Sequence, residues 1–293
     1  MDIVDRLKEA RKKGKPVLWD GAMGTQLIAA GLAGPAPELW NLERPELIRE
    51  IHRDYVRAGS EVIQTNTFGA NRLKLKSAGQ ENMLYQINLS AVRIAKEAGE
   101  GKALVAGDIG PTGEMMEPMG NLTPGRADAV YREQGSILAE AGVDLFSIET
   151  MFDLAEMKVA IRALKSVAPK IAVVAEMTFK KTGRGFFTMM GVSPEQAVKG
   201  MLGAGAEVVG ANCSIGPLEM VELAAELRKN TDRPILAQAN AGEPKLVDGK
   251  EAYGVSAREF AEFARRIFDA GADAIGACCG STPEFIREIA ARF

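Results

Sequence analysis

The sequence holds three cysteines, placed as A-N-C-S at Cys213 and A-C-C-G at Cys278 and Cys279. Each group follows a short apolar run, V-V-G-A-N-C or A-I-G-A-C-C-G, which reads as a strand running into a turn. Three thiolates converging from two strand ends supply three corners of a tetrahedral zinc site and leave the last for a group that reacts. A soft sulfur ligand is the natural partner there, so the pattern is that of a catalytic metal rather than a structural one. A lone cysteine at a strand end reads first as a small buried hydrophobe. The adjacent pair departs from that reading. Neighbouring side chains on a strand point to opposite faces, so Cys278 and Cys279 face one point only where the chain leaves the strand, and Gly280 permits this. A vicinal disulfide is another use of the pair. A zinc ribbon is not, because the C-x-x-C spacing is missing. The single histidine, His52, lies mid-helix in L-I-R-E-I-H-R-D-Y-V and is expected to be a surface or half-buried residue with no role.

Other groups at strand ends could serve a site. D-G-A-M-G-T starts at Asp20, and its glycines let the backbone turn tightly and offer N–H groups to an anion. A carboxylate beside such a turn suits an α-amino acid head group, although Asp and Gly also dominate ordinary turns. Glu149 ends the run F-S-I-E-T, with Ser147 on the same face by the period of two. A carboxylate in such a place needs a cation. An ammonium group is one candidate, and Lys180 or Arg184 is another. The segments around Glu114–Gly125 and Gly183–Gly191 are rich in Met and Gly, and form either a lid or docking surface or mere gap-filling.

These residues must be positioned by something, and apolar strand-like runs alternate with amphipathic helices from end to end. The strands read as Val17–Asp20, Glu61–Thr67, Ala103–Gly110, Leu145–Thr150, Ile171–Phe179, Val208–Ser214, Ile235–Asn240 and Ala274–Gly280. The helices read as Pro45–Ala58, Met83–Ala98, Ala127–Ala141, Asp153–Val167, Pro194–Ala204, Pro217–Lys229, Ser256–Ala270 and Pro283–Phe293. Asp153, Ser193 and the Ser281-Thr282-Pro283 run look like helix starts. One joint recurs, as A-G-S-E-V, A-G-V-D-L, A-G-A-E-V and A-G-A-D-A, each closing a helix at a glycine and opening a strand. Strands and helices in this alternation predict an α/β fold, a single (β/α)₈ barrel, with Ile3–Lys12 capping its bottom. An open doubly wound sheet would need a phosphate-binding G-x-G-x-x-G, which is absent. In a barrel the strand C-terminal ends carry function. The cysteines end strands six and eight, with strand seven between them.

Composition limits the alternatives. The 293 residues are 46% hydrophobic and 26% charged, with a net charge of -3, which argues against a nucleic-acid surface. An odd cysteine count is no disulfide framework and fits a reducing cytoplasm. The charged N-terminus is no signal peptide, and no apolar run approaches a membrane span.

The motifs D-G-A-M-G-T, Q-T-N-T-F-G-A-N, G-P-T-G, E-T-M, M-T-F, G-A-N-C-S-I-G-P and G-A-C-C-G-S-T-P stand in the order found in the homocysteine S-methyltransferase family. The chain most resembles the N-terminal homocysteine-binding barrel of cobalamin-dependent methionine synthases, over nearly its whole length, so that residues 1–293 are expected to be one such barrel. The resemblance implies that Cys213, Cys278 and Cys279 bind Zn²⁺. It implies that Asp20 and Glu149 hold the homocysteine amino group and that Gly21 and Ala22 receive its carboxylate. Asn66, Thr67 and Ser147 are implied to line the same pocket. The implied chemistry is attack on a methyl group by a homocysteine thiolate activated at zinc, giving methionine.

For the donor, relatives using betaine have a tyrosine after the strand-four glutamate and an aromatic hydroxyl in the strand-two motif. Here these positions are Thr150 and Phe68-Gly69, which disfavours gripping a trimethylammonium group. A methyl-corrinoid such as methylcobalamin, carried by a separate protein or domain, is the expected donor. S-methylmethionine is the alternative, and a zinc metallohydrolase or a redox sensor the reading from another class.

Overall fold

A computed structural model describes residues 2–32, 34, 36–247 and 250–293. Eight strands form one parallel sheet: β1 (Val17–Leu18), β2 (Val62–Gln64), β3 (Leu104–Ile109), β4 (Leu145–Met151), β5 (Ala172–Met177), β6 (Val208–Asn212), β7 (Ile235–Ala239) and β8 (Ala274–Ala277). Each pairs with its sequence neighbour from β2 to β8, and β8 pairs with β1. The β1–β2 seam lacks a ladder. A single backbone bond crosses it, from Glu61 N–H to the Leu18 carbonyl (2.8 Å). The side chain of Asp20 adds another by accepting from Gln64 N–H (2.8 Å). The result is a nearly closed (β/α)₈ barrel, as the alternation of elements predicts.

Alternation within each strand divides the core in two. Outward residues such as Phe146, Ile148, Val173 and Val209 pack under the helices. Inward residues at the strand starts, among them Val17, Trp19, Leu145, Val174 and Leu236, form a separate apolar plug. Helix α1 (Ile3–Lys12) closes this plug from below with Ile3, Leu7 and Ala10, as expected of a bottom cap. Above the plug the inward positions turn polar: Gln64, Asp108, Glu176 and Gln238 at or near the strand C-terminal ends, and Ser147 within β4. Their bulk is accommodated by glycine on neighbouring strands. A Cβ at Gly210 would overlap the Leu236 carbonyl oxygen and press on the Glu176 side chain. Gly210→Ala should therefore cost about 3 kcal/mol, since a rigid ladder cannot yield to it. A urea titration should record a lower midpoint with an unchanged slope.

The expected helix boundaries hold closely. Pro45–Ala58 and Pro194–Ala204 are as predicted, and Ser193 and Gln196 form a capping box. Gly59, Gly142 and Gly205 close their helices at φ of 116°, 86° and 113°. Asp153 caps its helix through Ala155 N–H, whereas Thr282 makes no side-chain cap. Short elements escaped the sequence pattern: helices Met23–Ala29, Trp40–Glu43 and Arg72–Ser77, and hairpins at Lys180–Thr182/Gly185–Phe187 and Pro244–Val247/Lys250–Tyr253. None is long enough to show a period.

One expectation is overturned. His52 is completely buried rather than surface or half-buried, and neither ring nitrogen has a partner. It shares the buried stripe of its helix with Ile48 and Tyr55, at the i+4 and i+3 spacings that line one face. Burial lowers its pKa to about 4, so it stays neutral at neutral pH. Among the described residues no helix is long and apolar enough to cross a membrane.

Candidate active site

The three cysteines meet at the C-terminal mouth of the barrel. Their sulfurs all lie within 4.8 Å of one another, with Cys213 and Cys279 at 3.8 Å. Local backbone geometry brings them together. Cys213 follows the end of β6 in a left-handed conformation, φ 59°, which Ser214 repeats at 61°. Such angles are uncommon outside glycine and mark a position held by its surroundings. Here Cys213 N–H donates to the Gln238 carbonyl (3.0 Å), and its own carbonyl accepts from Ile215 N–H (2.7 Å). On the other side β8 ends at Ala277, and the chain turns through Gly280 at φ 82°. That turn lets Cys278 and Cys279 face one point.

The cluster is poised to bear negative charge. Hydrogen bonds from Cys278 and Cys279 favour a thiolate on Cys213, lowering its pKa to about 3. The shared proton pushes Cys278 well up and Cys279 up to about 12. Asn240 also hydrogen-bonds Cys213. Its Oδ1 is buried with no partner. Three convergent sulfurs are a donor set that fits a thiophilic metal ion such as zinc.

A cavity of about 380 Å³ opens over these sulfurs, and Asp20, Gly21, Ala22, Asn66 and Glu149 line it together with the three cysteines. Among the described residues, Asp20 and Glu149 have no lysine or arginine partner; their bonds are to Gln64 and Asn212. Burial raises the Asp20 carboxyl well above its usual range, against the pull of the Gln64 N–H bond. Burial also raises Glu149 to about 7, opposed by the Gln64 side-chain amide. Glu149 accepts from Gln64 Nε2 and Asn212 Nδ2, both at 3.2 Å. Lys180 and Arg184, considered as partners, are exposed on a hairpin and make no such bridge.

Other expected residues take different places. Gly21 has no room for a side chain, since a Cβ would lie 2.7 Å from Ser281 Oγ and 2.9 Å from the Tyr55 ring. The Ala22 N–H is already engaged by Ser281 Oγ (3.0 Å). The next N–H groups open helix Met23–Ala29, which has no side-chain cap, and Met23, Gly24 and Thr25 line the cavity. Asn66 borders the cavity, but its amide is spent on the Pro37 carbonyl (3.1 Å) and Asn41 (3.2 Å), tying down the segment that follows the β1 loop. Thr67 and Ser147 are completely buried and lie outside the lining. Thr67 donates to the Asp108 carbonyl (2.7 Å), and Ser147 donates to Gln64 Oε1 (3.1 Å). Sequence reasoning missed Glu38, Gln64, Asp108 and Gln238 in the lining. For Gln64, Asp108 and Gln238 the available signal was a polar residue at an inward position of an otherwise apolar strand, whereas Glu38 sits in a short helical turn that carries no such pattern.

The family model described as homocysteine S-methyltransferase matches residues 17–293. The methionine synthase of Mycobacterium tuberculosis (strain ATCC 25618 / H37Rv) is 32% identical over 309 residues, covering 99% of this chain and 25% of that protein. That of Mycobacterium leprae (strain TN) is 32% identical over 291 residues, covering 93% of this chain and 24% of that protein. The chain thus spans about a quarter of the length of the methionine synthases it matches. Among solved structures, the metallated form of the Escherichia coli homocysteine methyltransferase MmuM superposes with a TM-score of 0.82 at 26% identity. That match covers 98% of this chain and 99% of MmuM. With that family model matching residues 17–293, the chain belongs to the homocysteine S-methyltransferase family.

Proposed function

We propose that residues 1–293 form a homocysteine-binding barrel that methylates homocysteine to methionine in a zinc-dependent reaction, with a methyl-corrinoid as donor. The observation that carries this reading is one cavity lined by both Cys213/Cys278/Cys279 and the unpaired carboxylates Asp20 and Glu149. A zinc ion held by the three sulfurs would acidify a thiol that joins it. The chain's own residues fix the rest. Asp20 and Glu149 take the ammonium, and the uncapped first turn at Met23–Thr25 takes the carboxylate. Held at its head, the amino acid presents its sulfur to the cysteines and its free face to the donor. The sulfur lone pair forms the new S–C bond while the donor–methyl bond breaks, and the donor keeps that bonding pair. The thiol proton leaves to solvent, so no general base is required. Among the described residues the metal-competent cluster is all cysteine. This disfavours a metallohydrolase, whose ligands are mostly His and carboxylate. Free thiols in such a cluster fit a reducing, cytoplasmic setting.

The donor assignment rests on the resemblance to methionine synthases, and two features support it. Among the described residues Phe68 is the one aromatic side chain in the cavity lining, and Lys74 Nζ already sits 4.4 Å from its ring centroid. A cation–π position on that ring is thus already taken by a lysine, which disfavours gripping betaine there. Ile28, Met119 and Met189 are 70%, 68% and 73% exposed on segments following β1, β3 and β5, the side of the barrel mouth. Such residues suit a bulky donor domain, while Met116 is buried and fills a gap. A second reading, a small donor such as S-methylmethionine, draws on the nearly end-to-end match with MmuM. Methionine formation with methylcobalamin, betaine and S-methylmethionine, each supplied alone without oxygen, separates them. Methylcobalamin should react, slowly when free, and betaine should not. Turnover with S-methylmethionine alone would overturn the corrinoid assignment.

A further inference from the structure

Gln64 stands at the end of β2 and touches both carboxylates of the cavity. Its backbone N–H donates to Asp20 Oδ2 (2.8 Å), and its side-chain Nε2 donates to Glu149 Oε2 (3.2 Å). The orientation of that amide is imposed from beneath. Gln64 Oε1 accepts from Ser147 Oγ (3.1 Å) and Gln238 Nε2 (3.4 Å). Gln238 Nε2 in turn donates to Glu176 Oε1 (3.0 Å). A flipped Gln64 would point its oxygen at Glu149 and its nitrogen at the Gln238 nitrogen, so only one orientation satisfies the network. The space is purpose-made: a Cβ at Gly276 would come within 2.6 Å of Gln238 Oε1. Such a layer, reaching the cavity through Gln64 and Gln238 and anchored on four strands, fixes where Glu149 directs its remaining oxygen.

From this geometry we infer that Gln64 is a positioning residue, aligning Asp20 and Glu149 as a two-carboxylate clamp for the substrate ammonium, with Ser147 and Gln238 setting its amide. The inference rests on the proposed binding of the homocysteine amino group by that clamp. Gln64 is outside the metal cluster, so its effect belongs to the head group and not to the sulfur.

The test compares homocysteine with γ-mercaptobutyrate, which keeps the thiol and carboxylate but lacks the amino group. Wild-type, Gln64→Met and Ser147→Ala chains are loaded with zinc and titrated calorimetrically, with zinc content and thermal midpoint measured alongside. Gln64→Met should weaken homocysteine about tenfold or more, the scale of one hydrogen bond to a charged group, and leave γ-mercaptobutyrate within about twofold. In steady state the loss should fall on KM for homocysteine and spare kcat. Ser147→Ala, which frees the amide without entering the cavity, should give a smaller loss of the same selectivity, about threefold. Should Gln64→Met fail to fold, Ser147→Ala is judged by the same criterion. Equal losses for the two thiols, or none for either, overturn the inference. A wild-type chain that binds both thiols equally overturns the ammonium clamp itself and the inference with it.

Discussion

Cys279→Ala is expected to strip the chain of its metal and to lower methionine formation by on the order of 10³-fold. The magnitude has two sources. A free thiol with a pKa near 8.5 is only about 3% ionised at pH 7, so losing activation costs about 30-fold. A sulfur no longer fixed at one point also loses orientation toward the donor, and misplacement on the scale of an ångström costs about a further hundredfold. Cys213→Ala and Cys278→Ala should behave alike, because all three sulfurs lie within one 4.8 Å group. Elemental analysis beside activity decides the matter. A Cys279→Ala chain that kept a full zinc complement would remove the proposed site. One that lost zinc but kept its rate would leave the metal structural. The fold should survive in each variant, since these side chains are only half-buried and no packed core depends on them.

How far the sequence could be read depended on chain length per element. The barrel strands and long helices carry enough residues for a period to emerge, and the A-G joints mark their boundaries. The seven-residue helix Met23–Ala29 does not, yet it supplies the N–H groups nearest the expected carboxylate site, one step beyond Gly21 and Ala22. The cysteines were legible because type, adjacency and strand-end position agreed. Asp20 and Glu149 were legible as lone carboxylates at strand ends. Gln64 was not, because glutamine after V-I carries no charge to demand a partner. Its importance arises from contacts with residues 83 and 174 positions away in sequence. Ser147 and Thr67 were implied at the pocket by the resemblance, and the structure leaves both completely buried outside the cavity lining. His52 was misjudged because a polar residue on an apolar stripe cannot be told from a surface one without the packing partner.

Asp20→Asn and Glu149→Gln should each weaken homocysteine by about 1–3 kcal/mol, the worth of a charge-assisted hydrogen bond, and leave γ-mercaptobutyrate nearly unaffected. Both substitutions keep the shape and the acceptor oxygens that Gln64 and Asn212 use, so they remove charge without dismantling the wall. The pH dependence distinguishes the two residues further. Burial places Glu149 at about 7, so below that pH it is protonated and offers the ammonium no charge. Binding the ammonium stabilises the carboxylate and draws its pKa down in the complex. The Glu149 contribution to homocysteine affinity must then rise with pH up to about 7, by at most about tenfold per unit, and level off above it. The thiol's own ionisation adds a slope in the same direction, but it is common to γ-mercaptobutyrate. The ratio of the two affinities therefore isolates the carboxylate. That ratio should climb toward pH 7 in the wild type and climb less steeply in Glu149→Gln, where only the raised Asp20 carboxyl is left to titrate. A ratio already flat in the wild type between pH 5 and 8 would mean that Glu149 does not hold the ammonium, whatever the metal does to the sulfur.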